Sequence, residues 1–239
     1  MKFSISIVSH RNGEQVDRLL SDLRLCLPSI SEIIVTINAP EDESFLDRYP
    51  DLPIVVLRNK TQKGFGANHN GAFRQSTGDL FAVVNPDVRL SQPPFAALES
   101  AMEGTRIGAC APVVYSPGGR IEDSVRRFPT FRRLAARVIL KRRHPDYRHD
   151  SSCPQPIDWA AGMFIAFARE AFEAVRGFDT WYFMYFEDAD ICRRLWRSGW
   201  SVNLVPAATV IHDAQRASHH SRQHLKWHVR SAFRFLIGI

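Results

Sequence analysis

Glu187, Asp188 and Asp190 follow directly on the aromatic run WYFMYF and open a segment whose apolar residues recur at helical spacing. Ile191 and Leu195 stand one turn apart with Trp196 beside them, while Arg193, Arg194 and Arg197 turn away. A helix from about Glu187 to Ser198 therefore fits a 3.6-residue period, and Gly199 supplies the stop. Asp188 precedes Ile191 by three residues and heads the buried stripe, where the positive end of the helix dipole favours an ionised carboxylate. Two readings fit the cluster. It either complements a helix N-terminus and does no more, or it places an anionic oxygen at the edge of an aromatic-walled pocket.

Asp87 closes the run VVNPD, in which Pro86 removes a backbone donor and fixes a tight turn after a buried strand. A carboxylate there is either an ordinary turn residue or a hard oxygen ligand able to hold Mg2+ or Mn2+ against a diphosphate, which one protein carboxylate can do. His212 ends a strand and can point to the same sheet edge. Lys63 to Gly71, KGFGANHNG, leads into a helix and could turn backbone amides toward phosphate. It lacks both the dinucleotide-binding spacing and the Gly-Lys-Ser/Thr of a P-loop. His220, His224 and His228 share one helical face. No Cys or carboxylate completes a closed zinc site with them, so a solvated basic face is the expected role.

The elements that must position these residues alternate. Strands are expected at Phe3 to Val8, Glu32 to Ile37, Leu52 to Leu57, Leu80 to Val84, Ile107 to Val114, Trp159 to Ala168, Val202 to Val205 and Thr209 to His212. Helices are expected at Glu14 to Leu27, Gly66 to Gln75, Pro94 to Met102 and from about Ser221. Such alternation implies an α/β fold with a mostly parallel central sheet flanked by helices, and ligands at the carboxyl ends of its strands. Ser9, Asn38, Asn59 and Asp87 all fall at such ends. Regularity falters between Ser116 and Pro156, which reads as an insertion or lid. Inside it Phe131, Leu134, Ala135 and Val138 form an apolar stripe opposite Arg132, Arg133, Arg137, Lys141, Arg142 and Arg143, the pattern of a basic amphipathic helix.

The 239 residues are 45% hydrophobic and 23% charged, ordinary for a globular domain. No apolar run is long enough to span a membrane, and MKFSISIVSH is a strand pattern, not a signal peptide, so a cytoplasmic chain is expected. Cys26, Cys110, Cys153 and Cys192 form no CxxC pair and suit reduced thiols. A net charge of +6 and a pI near 9.4 point to anionic partners without choosing among them.

In order along the chain, IVSH, EIIVTIN, KGFGANHNGAF, FAVVNPD, WAAGMFIAFAREAF, GFDTWYFMYFEDADICRRLWRSGW and VPAATVIHD resemble a bacterial glycosyltransferase family 2 enzyme with the GT-A fold. The likeness runs from Ser4 to about Ser221, and the Asn-Pro-Asp turn resembles the rhamnosyltransferase branch. It implies one domain over residues 1–239, with a nucleotide-sugar half to about 115, the basic insertion at about 116–156, and an acceptor and catalytic half from about 157. By the same resemblance Asp188, in its pair with Glu187, is the catalytic base. Asp87 is the metal-binding carboxylate, Asn85 takes the first position of that acidic motif, and His212 reaches the metal or diphosphate. Ser9 and Asn38 lie on the nucleoside side, Gly64, Phe65 and Asn68 floor the donor site, and Trp159, Gly162 and Met163 wall the acceptor side. Where the family usually carries a base-binding Asp this chain has Ile37, followed by Asn38.

The implied reaction is inverting transfer from a nucleoside-diphosphate sugar to a glycan or lipid-linked glycan hydroxyl, with Mg2+ or Mn2+ as cofactor and no nucleic-acid partner. A noncatalytic sugar-nucleotide-binding module, a nucleotidyltransferase and a nucleic-acid-binding protein are the alternatives, in that order. The basic segment near 130–143 is either a lid or a peripheral contact with anionic lipid at the inner face of the membrane, and sequence leaves the two nearly equal.

Overall fold

The structure is a computed structural model that describes residues 1–130, 132–133, 146–148, 153–213 and 222–238. Most of the basic segment near 130–143 lies outside the described residues. A nine-stranded sheet organises the rest. Its first half is built from β1 (Phe3–Ser9), β2 (Ile30–Ile37), β3 (Ile54–Arg58) and β4 (Leu80–Val84), which lie parallel in the order β3-β2-β1-β4. Leu80–Val84 is buried at every residue, as a strand covered by helices on both faces must be.

The second half continues the sheet with β5 (Val88–Arg89), β6 (Ile107–Tyr115), β8 (Gln155–Pro156), β10 (Phe164–Ala168) and β11 (Ser201–His212). Two short strands, β7 (Val125–Arg126) and β9 (Trp159–Ala160), pair separately. Strand β10 runs antiparallel between β4 and β6, with Phe164 opposite Val84. That reversal matters for function. It brings the residues just before β10, Ala161 to Met163, to the edge where β4 ends. Strand β11 runs parallel to β6 and ends with His212 paired to Val88, so His212 arrives at that edge too.

Helices α1 (Gly13–Leu23) and α3 (Phe95–Met102) cover one face, where Ile5, Ile7, Leu19, Leu20, Phe95 and Leu98 are buried. Helices α2 (Phe65–Phe73), α4 (Arg169–Ala174) and α5 (Glu187–Arg197) cover the other, over Phe81, Val83, Phe167, Phe172, Phe178 and Ile191. The C-terminal helix α6 (Arg222–Ile237) adds Phe235 to this second core.

Several boundaries differ from the sequence reading for local reasons. The first helix stops at Leu23 and tightens into a 3-10 turn over Arg24–Ser29, which contains Pro28. The third strand starts at Ile54, after Pro53. Trp159 to Ala168 is two strands broken by a turn at Ala161 to Met163. Val202 to Val205 and Thr209 to His212 are one strand whose register shifts across Pro206.

Candidate active site

The turn into α5 is the most strained backbone near the sheet edge. Tyr185 and Phe186, neither of them glycine, have φ of 70° and 67°, a conformation that costs about 1–3 kcal/mol per residue and persists only when its surroundings impose it. Those surroundings are visible. The Phe65 N–H donates to the Phe183 carbonyl at 3.0 Å, Ser231 Oγ donates to the Met184 carbonyl at 3.1 Å, and the Asp190 N–H donates to the Phe186 carbonyl at 2.8 Å. From α6, the His224 Nδ1 lies 2.8 Å from the Tyr185 hydroxyl, and Trp227 stacks on Phe183 with centroids 4.7 Å apart.

This turn delivers three carboxylates to three different fates. Asp190 is buried and paired with Arg193 at 3.2 Å and Arg194 at 2.7 Å, so it is structural. Those arginines do not lie in open water: Arg194 donates to the Val175 and Gly177 carbonyls, and Arg193 covers the Phe235 ring. Glu187 is buried, its Oε2 has no partner, and burial followed by the charge of Asp188 pushes its pKa well above the ordinary 4.5. Asp188 keeps an edge in solvent. Burial raises its pKa as well, but the N–H of Ala189 at 2.8 Å and of Gly162 at 3.1 Å donate to its carboxylate, and the Arg126 charge also favours the anion. Of two adjacent carboxyls whose environments differ, the better hydrogen-bonded ionises first. Glu187 therefore holds a proton more tightly than Asp188, and Asp188 is the more readily ionised of the pair.

Asp87 lies at the same sheet edge, just past the end of β4. One oxygen, Oδ2, lies 3.3 Å from His212 Nε2; the other, Oδ1, is buried without a partner. The far ring nitrogen of His212, Nδ1, lies 2.8 Å from Glu122 Oε2. Held between two carboxylates, His212 has its pKa raised to about 9 against the opposing pull of burial. Both ring nitrogens are engaged as donors in this arrangement. The Asn85 N–H donates to the Met163 carbonyl at 2.9 Å, which ties the Asn-Pro-Asp turn to the segment holding Gly162 and hence to Asp188.

The Lys63 loop is fastened by amides. Asn38 Oδ1 accepts the Lys63 N–H at 2.9 Å and the Asn59 amide at 2.9 Å, and its own amide donates to the Lys63 carbonyl at 3.0 Å. Asn59 also donates to Asn68 Oδ1 at 2.6 Å, and Asn68 donates to the Lys63 carbonyl at 3.2 Å. Gly64 packs so closely on Phe183 that an added Cβ would stand 2.4 Å from its carbonyl oxygen, and at Gly162 a Cβ would meet the Phe65 ring at 2.8 Å. Ser9 is buried and accepts the Asn12 N–H at 3.3 Å. Trp159 is buried, donates to the Arg127 carbonyl at 3.1 Å and is capped by Arg126. Ile37 belongs to the core, and Asn38 is the first side chain past it at the strand end.

A family profile described as "Glycosyl transferase family group 2" matches residues 83–231, which include Asn85, Asp87, Glu122, Gly162, Glu187, Asp188 and His212. The chain belongs to this family. The Escherichia coli K12 rhamnosyltransferase WbbL is 30% identical over 251 aligned positions, covering 97% of this chain and 91% of that one. The N-acetylglucosaminyl-diphospho-decaprenol L-rhamnosyltransferase of Mycobacterium tuberculosis is 29% identical, covering 96% and 82%. Among solved structures, GalNAc-T7 with UDP, GalNAc and Mn2+ superposes with a TM-score of 0.74 at 16% identity, and this chain spans 48% of its length. The Pyrobaculum calidifontis mannosyltransferase with GDP-Man and Mn2+ superposes at 0.65, also at 16% identity, and is spanned over 64%. The fold is the GT-A glycosyltransferase fold.

Within this family 2 glycosyltransferase, sequence reasoning missed Glu122 and Arg126, which the irregular stretch after β6 brings to His212 and Asp188, and the inward face of α6. His224 and His228 do not form a purely solvated face. His224 is half-buried against Tyr185, and His228, though exposed, packs at an inclined or edge-on angle against the Tyr185 and Phe186 rings, 5.3 Å between centroids in each case. His220 lies outside the described residues. The only sequence signal for that role was the helical spacing of these histidines.

Proposed function

We propose that this glycosyltransferase moves a sugar, a deoxyhexose such as rhamnose, from a nucleoside-diphosphate sugar to a hydroxyl of a glycan or lipid-linked glycan in cell-surface polysaccharide or lipopolysaccharide assembly, with inversion. The observation that carries this reading is the setting of Asp188: its carboxylate accepts the Gly162 and Ala189 N–H groups beside the buried Glu187, whose Oε2 has no partner and whose pKa is raised by burial and by Asp188. Asp188 takes the acceptor hydroxyl proton as that oxygen bonds to the anomeric carbon, and the bond to the diphosphate oxygen breaks on the opposite face. One activating carboxylate suffices for this reaction, and a single displacement inverts the anomeric centre.

The residues at Asp87 fit a divalent cation. Its buried, unpartnered Oδ1 is a hard oxygen donor. Among the described residues no group of three or more His, Cys, Asp or Glu gathers into a closed metal site. Substrate phosphates would therefore complete the shell, as Mg2+ and Mn2+ allow. Bound there, the ion would supply charge neutralisation at the departing nucleoside diphosphate. His212, 3.3 Å from Asp87 Oδ2 and 2.8 Å from Glu122 Oε2, is placed to reach the ion or the diphosphate, and the amide-braced Lys63 loop with Ser9 and Asn38 forms the nucleoside side. The rhamnosyltransferase relatives support the rhamnosyl assignment, and the Mycobacterium tuberculosis enzyme, named for a diphospho-decaprenol-linked acceptor, supports a lipid-linked one.

A thermal-shift panel of uridine, thymidine, guanosine and cytidine diphosphates, with and without manganese, tests the donor half, because a ligand bound only by the native state raises its melting temperature. One nucleotide should stabilise the protein, and more so with manganese. Indifference to every nucleotide in both conditions would remove the donor assignment.

A further inference from the structure

The site uses only the inward face of α6. Its outward face carries Leu225, Val229, Phe233 and Ile237 at successive four-residue steps, and they remain 65%, 59%, 61% and 42% exposed. Exposed apolar side chains scattered singly need no explanation, but four in register along one helix form a continuous stripe. No helix among the described residues is long and apolar enough to cross a membrane. A helix that is apolar on one face and basic at its flank instead suits the membrane–water boundary.

Charge decides the occupant. Lys226 and Arg230 are exposed beside the stripe, and the sequence from 214 to 239 contains no Asp or Glu. Trp181, also exposed, lies under Arg230 and Arg234, each 4.4 Å from its ring centroid, and extends the patch with an aromatic of the kind that settles at headgroup level. A second copy docking by two-fold symmetry would set these same cations against each other, a juxtaposition that opposes association. An anionic lipid surface meets both halves of the pattern: its headgroups attract the cations and its acyl boundary takes up the stripe.

We propose that α6 lies flat on an anionic membrane with Leu225, Val229, Phe233 and Ile237 inserted at the acyl boundary and Lys226 and Arg230 at headgroup level. The opposite face of the same helix holds the Met184 to Phe186 turn through Ser231 and His224. Docking therefore sets the turn that leads into Asp188 about one helix diameter, roughly 10 Å, from the lipid. This surface is independent of the transfer reading. A chain that binds vesicles but transfers nothing would remove the proposed function and leave the docking face standing.

The test is sedimentation of the full chain with vesicles of phosphatidylcholine alone and of phosphatidylcholine with roughly a third phosphatidylglycerol. The chain is expected to pellet with the anionic vesicles, less so as salt rises. Leu225→Ser, Val229→Ser and Phe233→Ser combined should weaken that binding about tenfold or more, and Lys226→Glu alone about fivefold or more. All four positions are exposed, so melting temperatures should stay near wild type. If the triple variant melts early, Lys226→Glu decides. Wild type that ignores anionic vesicles, or variants that bind as well as wild type, would overturn the proposal. So would a wild-type dimer that the triple variant turns into monomer, since the stripe would then be covered by a second copy.

Discussion

The Lys63 loop and the turn before Asp188 face each other at one sheet edge and are built on opposite terms. In the loop, Asn38, Asn59 and Asn68 pass hydrogen bonds among themselves and to Lys63. At the turn and the facing Asp87, two successive residues sit at positive φ, and Glu187 Oε2 and Asp87 Oδ1 are buried without partners. A buried polar group left unpaired costs about 1–3 kcal/mol. A fold tolerates that where substrate or chemistry takes up the missing interaction. On the proposed function, the first region is a braced scaffold for the donor and the second holds strain and unpaired polar oxygens where the reaction would occur.

That contrast can be broken at measurable points. The largest effect belongs to turnover: Asp188→Asn should lower kcat by about a hundredfold or more with the melting temperature held, as loss of a positioned base does. Next, Asp87→Ala should weaken nucleoside-diphosphate binding in manganese by about tenfold, read by calorimetry, because the oxygen that can join cation to diphosphate is gone. Unchanged affinity would move that role elsewhere. In the scaffold the effect should fall on stability: Asn38→Ala removes the hub of the loop network and should cost about 2 kcal/mol in urea unfolding, whereas a purely functional Asn38 would leave the midpoint in place.

The smallest and most selective effect concerns Glu187. Its carboxyl binds a proton more tightly in the folded chain than in the unfolded one, from burial first and Asp188 second. The stability it contributes is therefore complete below the unfolded pKa and is lost as pH rises through the folded one. Glu187→Gln removes that loss, so the variant should gain stability over wild type in alkaline buffer and lose the advantage in acid. A pH-independent difference in melting temperature would contradict the raised pKa.

Much of this edge was legible in the sequence because it rests on local pattern. The LFAVV run followed by Asn-Pro-Asp marks the end of a buried strand, and Ile191, Leu195 and a Gly199 at φ 79° mark the course and stop of α5. Direction was not legible. Periodicity is the same for parallel and antiparallel strands, so nothing in Phe164 to Ala168 announced the reversal that brings Gly162 to Asp188. Long-range partners were equally hidden. Glu122 is ninety residues from His212, and Arg126 reaches Asp188 from a two-residue strand too short to carry a pattern. The division of labour among Glu187, Asp188 and Asp190 needed burial and hydrogen-bond partners, which three adjacent acidic letters do not encode.

The most direct test of the central claim, that Asp188 is the base and not part of the donor site, compares donor binding with turnover in one preparation of Asp188→Asn. The account predicts a folded variant whose melting temperature rises with nucleoside diphosphate and manganese as much as that of wild type, while sugar transfer falls by about a hundredfold or more. Transfer at the wild-type rate by that folded variant, or loss of nucleotide binding in step with loss of transfer, would contradict it.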